Sequence, residues 1–176
     1  MEDLSLHILD VVENSLRAQA RRVEISLIED AERDLLSLEV RDDGRGMSPE
    51  ACARAADPFF TTKPGRKAGL GLALLAQAAR EAGGEFRITS RPNDGTTVRA
   101  TFRRSHPDRK PLGDLSATLK TLVVGHPEVH FIFERKVGGT VQRLDSRQLR
   151  DRVAGSGRPS GGRPVGSPLS QPVRRA

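Results

Sequence analysis

Leu36-Ser37-Leu38-Glu39-Val40 alternates apolar and polar residues with the period of a half-buried strand, and it runs straight into Asp42-Asp43-Gly44-Arg45-Gly46-Met47. No other junction constrains the chain as strongly. A strand that ends in a carboxylate delivers that group to the end of a sheet. Gly44 and Gly46 then let the backbone make positive-φ turns and come close to a flat surface, which side chains with a Cβ would prevent. Ser48-Pro49-Glu50 follows with a cap residue and a proline, the signature of a helix start, so the whole stretch reads strand, tight turn, helix.

The rest of the chain falls into place around this junction. Ile8, Leu9, Val12 and Leu16 recur at helical spacing, predicting an amphipathic helix over residues 4–20 on which Asp10, Asn14 and Arg17 share another face. Val23-Glu24-Ile25-Ser26-Leu27 predicts a strand that pairs as a hairpin with the 36–40 segment. The helix opened by Ser48 should run to about Ala56. Residues 57–68 show no periodicity and read as a loop long enough to be a lid, and residues 70–82 return to a helix stopped by Gly83-Gly84. Strands at 85–90 and 96–102 pair around the turn Pro92-Asn93-Asp94-Gly95. Beyond Ser105 a second set of elements appears. Leu112, Leu115, Leu119 and Leu122 suit a helix, Val129 to Phe133 a strand, Gly138-Gly139 a hairpin turn into residues 141–144, and residues 146–153 a closing helix. The order α-ββ-α-lid-α-ββ implies an α+β domain over residues 1–104, mostly antiparallel with helices on one face, and a small α/β appendage over 105–153 that docks on the main sheet or extends it.

Charge narrows the partner classes. The formal net charge is +6 over 176 residues, but residues 154–176 hold four arginines and no acid, which leaves +2 for the rest. That Gly-, Pro-, Ser- and Arg-rich segment has almost nothing apolar to offset the entropy of ordering, and is expected to be a disordered basic tail. It has no aromatic residues to stack on bases, so nucleic-acid binding is not expected. The single Cys52 excludes an internal disulfide and a multi-cysteine metal site. No apolar run approaches the roughly 20 residues that cross a bilayer, and the acidic start is unlike a signal peptide, so a cytoplasmic location is expected. His7, His106, His126 and His130 do not cluster as ligands would, and they are assigned structural or solvent-facing places.

Three segments carry candidate chemistry. Asp10 and Asn14, four residues apart on one helical face, place a carboxylate and an amide oxygen side by side. The amide is a hard neutral ligand suited to Mg²⁺, and the carboxylate could orient or deprotonate an attacking hydroxyl or water. In isolation such a pair is more often a solvated polar face. Asp42 could accept from an exocyclic amino group and so select adenine over guanine, with Met47 packing on the ring. Gly69-Leu70-Gly71-Leu72 opens a helix, where backbone N–H groups and the dipole favour phosphate, and Lys63 in the preceding loop could reach a terminal phosphate. A Walker-type loop is not indicated, because its lysine is missing at the usual spacing.

These segments in this order, with the intervening Asp57-Pro58-Phe59-Phe60-Thr61-Thr62-Lys63, resemble the GHKL ATPase superfamily, which spans gyrase-type topoisomerases, heat-shock chaperones, sensor histidine kinases and mismatch-repair ATPases. The resemblance covers residues 4–102. It implies a two-layer α/β sandwich of the Bergerat-type ATP-binding fold, with ATP and Mg²⁺ as cofactors. It further implies Asn14 as the metal ligand, Asp42 as the adenine anchor, and Gly44 and Gly46 as the turn of the adenine pocket. Gly69 and Gly71 become phosphate contacts beside a lid that carries Lys63, and Thr96 a threonine lining the pocket. The segment around Phe59 looks most like a histidine kinase, whereas Asp10-Val11-Val12-Glu13-Asn14-Ser15 looks more like the chaperone and mismatch-repair branch. Asp10 stands where that branch places a glutamate, one methylene longer.

The expected activity is that of a stand-alone domain that hydrolyses ATP or phosphorylates a partner protein, with Asp10 and Lys63 as catalytic groups. No segment before Leu4 has room for a dimerisation helix with a phosphoacceptor histidine, so a partner would supply the acceptor or act as the regulatory target. The alternative is a non-catalytic switch in which ATP orders the lid and changes binding to a larger complex. Homodimerisation is left open.

Overall fold

The computed structural model describes residues 3–57 and 70–156. The first helix, α1 (Leu4–Arg17), buries Leu4, Ile8, Val11 and Val12 and is capped by Asp3, whose carboxylate accepts from the Leu6 N–H at 3.0 Å. Gln19, at φ 60°, turns the chain out of the helix before the expected end at residue 20. Strands β1 (Arg22–Asp30) and β2 (Leu35–Asp42) form the expected hairpin, both longer than the alternation alone indicated. The next helix, α2 (Pro49–Arg54), is capped by Ser48 and stops short of Ala56; it has no fully buried residue to hold further turns. Helix α3 (Gly71–Glu81) ends in paired hydrogen bonds, Gly83 N–H to the Arg80 carbonyl at 3.0 Å and Gly84 N–H to that of Ala79 at 2.8 Å, with Gly83 at φ +68°. Strands β3 (Phe86–Ser90) and β4 (Thr96–Arg103) pair as expected.

The segment beyond Ser105 extends the main sheet. Strand β5 (His130–Val137) lies parallel to β1 along Arg22–Glu29, and β6 (Thr140–Asp145) pairs antiparallel with β5. The sheet order is β3-β4-β2-β1-β5-β6, with β1 and β5 the one parallel pair among the described residues. Between β4 and β5, α4 (Leu115–Gly125) packs on α1 and contributes Leu119 and Leu122 to the core. Leu112, which the spacing placed in this helix, precedes it; its carbonyl and that of Pro111 accept the N–H groups of Ser5 and Leu4, supplying two partners to the open first turn of α1. The last helix, α5 (Ser146–Ser156), reaches past residue 153 into the segment expected to be a tail, because Ala154 suits a helix as well as the residues before it; residues 157–176 lie outside the described range.

Register explains how the sheet positions a site. On the face towards α1 and α3, successive cross-strand rows run Phe86, Ala100, Leu38, Leu27, then Ile88, Val98, Val40, Ile25. The next row runs Ser90, Thr96, Asp42, Val23. The first two rows belong to the apolar core, and the third replaces three core residues by hydrogen-bonding side chains at one end of the sheet.

Candidate nucleotide site

Asp42 is held on both oxygens. Oδ1 accepts from the Gly44 N–H at 2.9 Å and the Thr96 N–H at 3.2 Å, and Oδ2 accepts from Ser15 Oγ at 2.6 Å. The last β2 residue, the following turn, the first β4 residue and helix α1 therefore all converge on one half-buried carboxylate. The adjacent Asp43 does different work: its Oδ1 accepts from the N–H groups of Arg21 and Arg22 at 2.8 and 2.9 Å, tying the turn to the start of β1.

The turn glycines divide by cause. Gly46 lies at φ +66° with its α-carbon against the Arg91 carbonyl oxygen, which a Cβ would overlap. Gly44, expected to make a positive-φ turn, does not. Its need for glycine is spatial, since a Cβ would sit 2.9 Å from both the Cβ and the carbonyl oxygen of Ala18. The Arg45 N–H, bonded to the Ala18 carbonyl at 2.9 Å, holds the turn down on the end of α1 and so enforces that closeness. Met47 is half-buried and donates its N–H to Ser90 Oγ at 2.9 Å. Ser90 also lies 2.9 Å from Thr96 Oγ1 and donates to the Gly95 carbonyl oxygen at 2.9 Å.

The second half of the site is built where α1 meets α3. Asp10 and Asn14 are both half-buried and one turn apart. Gly71 opens α3 directly against Asp10. Leu70, 47% exposed, occupies the cap position and makes no side-chain cap, so the first-turn amides of α3 have no side-chain acceptor from that residue; Leu72 packs against the core. Asn14 Oδ1 lies 3.5 Å from Arg17 Nη1, while Arg17 also pairs with Glu13 at 3.4 Å. Lys63 and Gly69 lie outside the described residues.

Asn14 suits Mg²⁺ as a single hard oxygen donor. Among the described residues no three His, Cys, Asp or Glu side chains gather as a metal cage, so an ion here would need its remaining ligands from phosphate and water, which is how Mg²⁺ is usually held.

The model of the histidine kinase-, DNA gyrase B- and HSP90-like ATPases matches residues 2–106, more than half of the chain. The chain belongs to this family. Sensor protein kinase FleS of Pseudomonas aeruginosa is 40% identical over 90 residues, covering 51% of this chain and 22% of the relative. Sensor histidine kinase YxdK of Bacillus subtilis is 32% identical over 106 residues, 56% of this chain and 32% of the relative. The chain thus spans about a third or less of the curated relatives it matches. The Aquifex aeolicus MutL ATPase domain, solved with ADP, superposes with a TM-score of 0.58 at 19% identity and covers 87% of this chain and 68% of that one. Coverage of that extent cannot fit within residues 2–106, so the likeness of fold reaches beyond the family's match into the β5–β6 segment.

The polar row Ser90, Thr96 and Asp42, with Asp10, Asn14 and the start of α3 beside it, is the candidate nucleotide site. Ser15 and Gly95 lie in stretches that the sequence singled out but received no role at the site, and Ser90 was not singled out. Register carries the signal for Ser90, the polar member of an inward series Phe86, Ile88, Ser90. For Ser15 the sign is its place four residues after Val11, on the buried side of α1.

Proposed function

We propose that this chain binds ATP together with Mg²⁺ and hydrolyses it or transfers its terminal phosphoryl group to a partner protein. The observation that carries this reading is the juxtaposition of the polar row around Asp42 with the Asp10–Gly71 contact. One presents acceptors suited to an adenine amino group, and the other sets a carboxylate beside a helix N-terminus suited to phosphate. In this reading Asn14 would hold Mg²⁺, which supplies charge neutralisation on the phosphates when bound. The nucleophile, a water or an acceptor side chain of the partner, attacks the γ-phosphorus in line, the bond to the bridging oxygen breaks, ADP leaves, and Asp10 orients the nucleophile and, where it is a hydroxyl or water, takes its proton. Lys63 would add a second cation from the lid. Sequence likeness to sensor kinases supports a regulatory acceptor, and residues 105–153 would form a structural extension of the ATP-binding domain.

Calorimetric ATP binding and phosphate release, measured for the wild type, Asp42→Asn and Asn14→Ala, test the reading. Wild-type binding with release, both weakened in the variants, supports it. Binding with neither phosphate release nor ADP formation in the presence of candidate acceptors assigns the chain to the non-catalytic switch class. No binding at all removes the nucleotide reading.

A further inference from the structure

We propose that Ser90 is a positioning residue that fixes the hydrogen-bonding polarity of Thr96 and thereby makes the site selective for purines carrying a 6-amino rather than a 6-oxo group. The proposal rests on the nucleotide-binding reading above. It starts from proton counting around one oxygen. Ser90 Oγ has three polar neighbours at 2.9 Å: the Met47 N–H, the Gly95 carbonyl oxygen and Thr96 Oγ1. A serine hydroxyl has one proton to give and two lone pairs to fill. The Met47 N–H can only donate and the Gly95 carbonyl can only accept. All three contacts become hydrogen bonds in a single arrangement, with Ser90 donating to Gly95 and Thr96 donating to Ser90.

That arrangement commits the Thr96 proton inward. What Thr96 Oγ1 has left is acceptor capacity, and it sits in the same cross-strand row as Asp42, which accepts the Thr96 N–H. A ligand edge meeting this row faces a carboxylate and a hydroxyl that both seek protons. A 6-amino group held between them supplies one to each, whereas a 6-oxo group in the same place sets oxygen against oxygen at two half-buried acceptors, its N1 proton lying on the adjacent ring atom. Asp42 alone would favour the amino group; Ser90 recruits a second residue to the same preference by removing the option that a free threonine hydroxyl has, of turning round to donate.

The test compares ATP with inosine triphosphate, which replaces the 6-amino by a 6-oxo group and places a proton on N1, without adding a 2-amino group. Affinities of the full chain are measured by calorimetry with Mg²⁺ for the wild type, Ser90→Ala, Thr96→Val and the double variant. In Ser90→Ala the Thr96 hydroxyl is free to donate, so the preference for ATP over inosine triphosphate should fall by roughly tenfold, mainly through tighter binding of the inosine nucleotide. The gain requires the Thr96 hydroxyl and should vanish in the double variant. Weakening of both nucleotides by the same factor in Ser90→Ala would show a role confined to bracing the turn, and would overturn the proposal. Should Ser90→Ala fail to fold, Thr96→Val decides: a reduced preference supports the proposal and an unchanged ratio overturns it. A wild type that binds ATP and inosine triphosphate equally refutes the selectivity while leaving nucleotide binding intact, whereas a wild type that binds neither refutes both.

Discussion

Gly71 of α3 packs so closely on Asp10 of α1 that a Cβ added to Gly71 would lie 2.8 Å from the Asp10 Cβ and 3.5 Å from its Oδ2. Only hydrogen fits, so the two helices meet at the point where a carboxylate and a helix N-terminus must share space. Because the obstructing atom is a Cβ fixed to the backbone, Gly71→Ala has to move a helix rather than a flexible side-chain end. The expected result is a stability loss of about 1–3 kcal/mol and a fall in ATP affinity that exceeds the fall for adenosine, which lacks the phosphates that this contact is proposed to face. Urea unfolding and paired calorimetric titrations check it; equal losses for the two ligands would place the contact away from the phosphates.

Gly95 and Gly138 separate backbone strain from crowding. Both have positive φ, +73° and +57°, but a Cβ on Gly95 would overlap the Asp42 carbonyl oxygen whereas Gly138 has nothing within 4 Å. Gly138→Ala pays only the left-handed conformation, about 1 kcal/mol, while Gly95→Ala must also push β2 and β4 apart and should cost on the order of 3 kcal/mol or more. Equal denaturation midpoints for the two variants would contradict this account.

Why one half of the site could be read from sequence and the other could not follows from these same residues. Asp42, Gly46 and Asn14 belong to short local patterns whose chemistry is independent of distant packing. The requirement at Gly44 looked conformational and proved spatial, because Ala18 lies far from it in sequence and only the fold brings them together. Ser15 and Ser90 depend on register and helix facing, which alternation suggests but does not fix. The hairpin 130–145 was recognisable as strands, yet its attachment to β1 was not, since an alternating pattern identifies a strand without naming its neighbour.

Asp42 and Asp43 are neighbours with separable roles. Ser15→Ala removes the 2.6 Å bond to Asp42 Oδ2 and should lower ATP affinity about fivefold to tenfold, with a stability change of about 1 kcal/mol. Asp43→Ala instead frees the N–H groups of Arg21 and Arg22, and should cost about 1–2 kcal/mol of stability with ATP affinity little changed. Calorimetry and urea denaturation on both variants check the division, and loss of ATP affinity confined to Asp43→Ala would reverse it.

One source of acid sensitivity should lie at the opposite end of the sheet. Asp34, at φ 53° between β1 and β2, accepts from Ser105 Oγ at 2.6 Å and Arg103 Nε at 3.0 Å, and these bonds, Ser105 first, hold its pKa below the ordinary 3.8. A depressed folded pKa means that the unfolded chain binds the proton more readily. The stabilisation is therefore full above the unfolded value and is lost as pH falls through the folded one. Asn tolerates the left-handed conformation, so Asp34→Asn removes the charge-dependent part alone. The stability gap between wild type and Asp34→Asn should narrow as pH drops from about 6 to about 3, and a constant gap would exclude this group as the source.

The family's match ends at residue 106, but the fold's cohesion does not. A chain stopped there would bare the β1 edge along Arg22–Glu29 and remove the Pro111 and Leu112 carbonyls that bond the first amides of α1. It would also take away Leu119, Leu122, Phe131 and Phe133, all buried in the common core. Each such side chain contributes about 1.5–3 kcal/mol, so the four together approach the entire net stability of an ordinary domain, roughly 5–15 kcal/mol. The helix that carries Asp10 and Asn14 is the one left half-covered. Truncation after residue 106 should therefore abolish cooperative unfolding and ATP binding together, whereas truncation after residue 156 should preserve both; a residue 1–106 fragment with a sharp denaturation transition would show that β5 and β6 are an accessory to the domain rather than part of it.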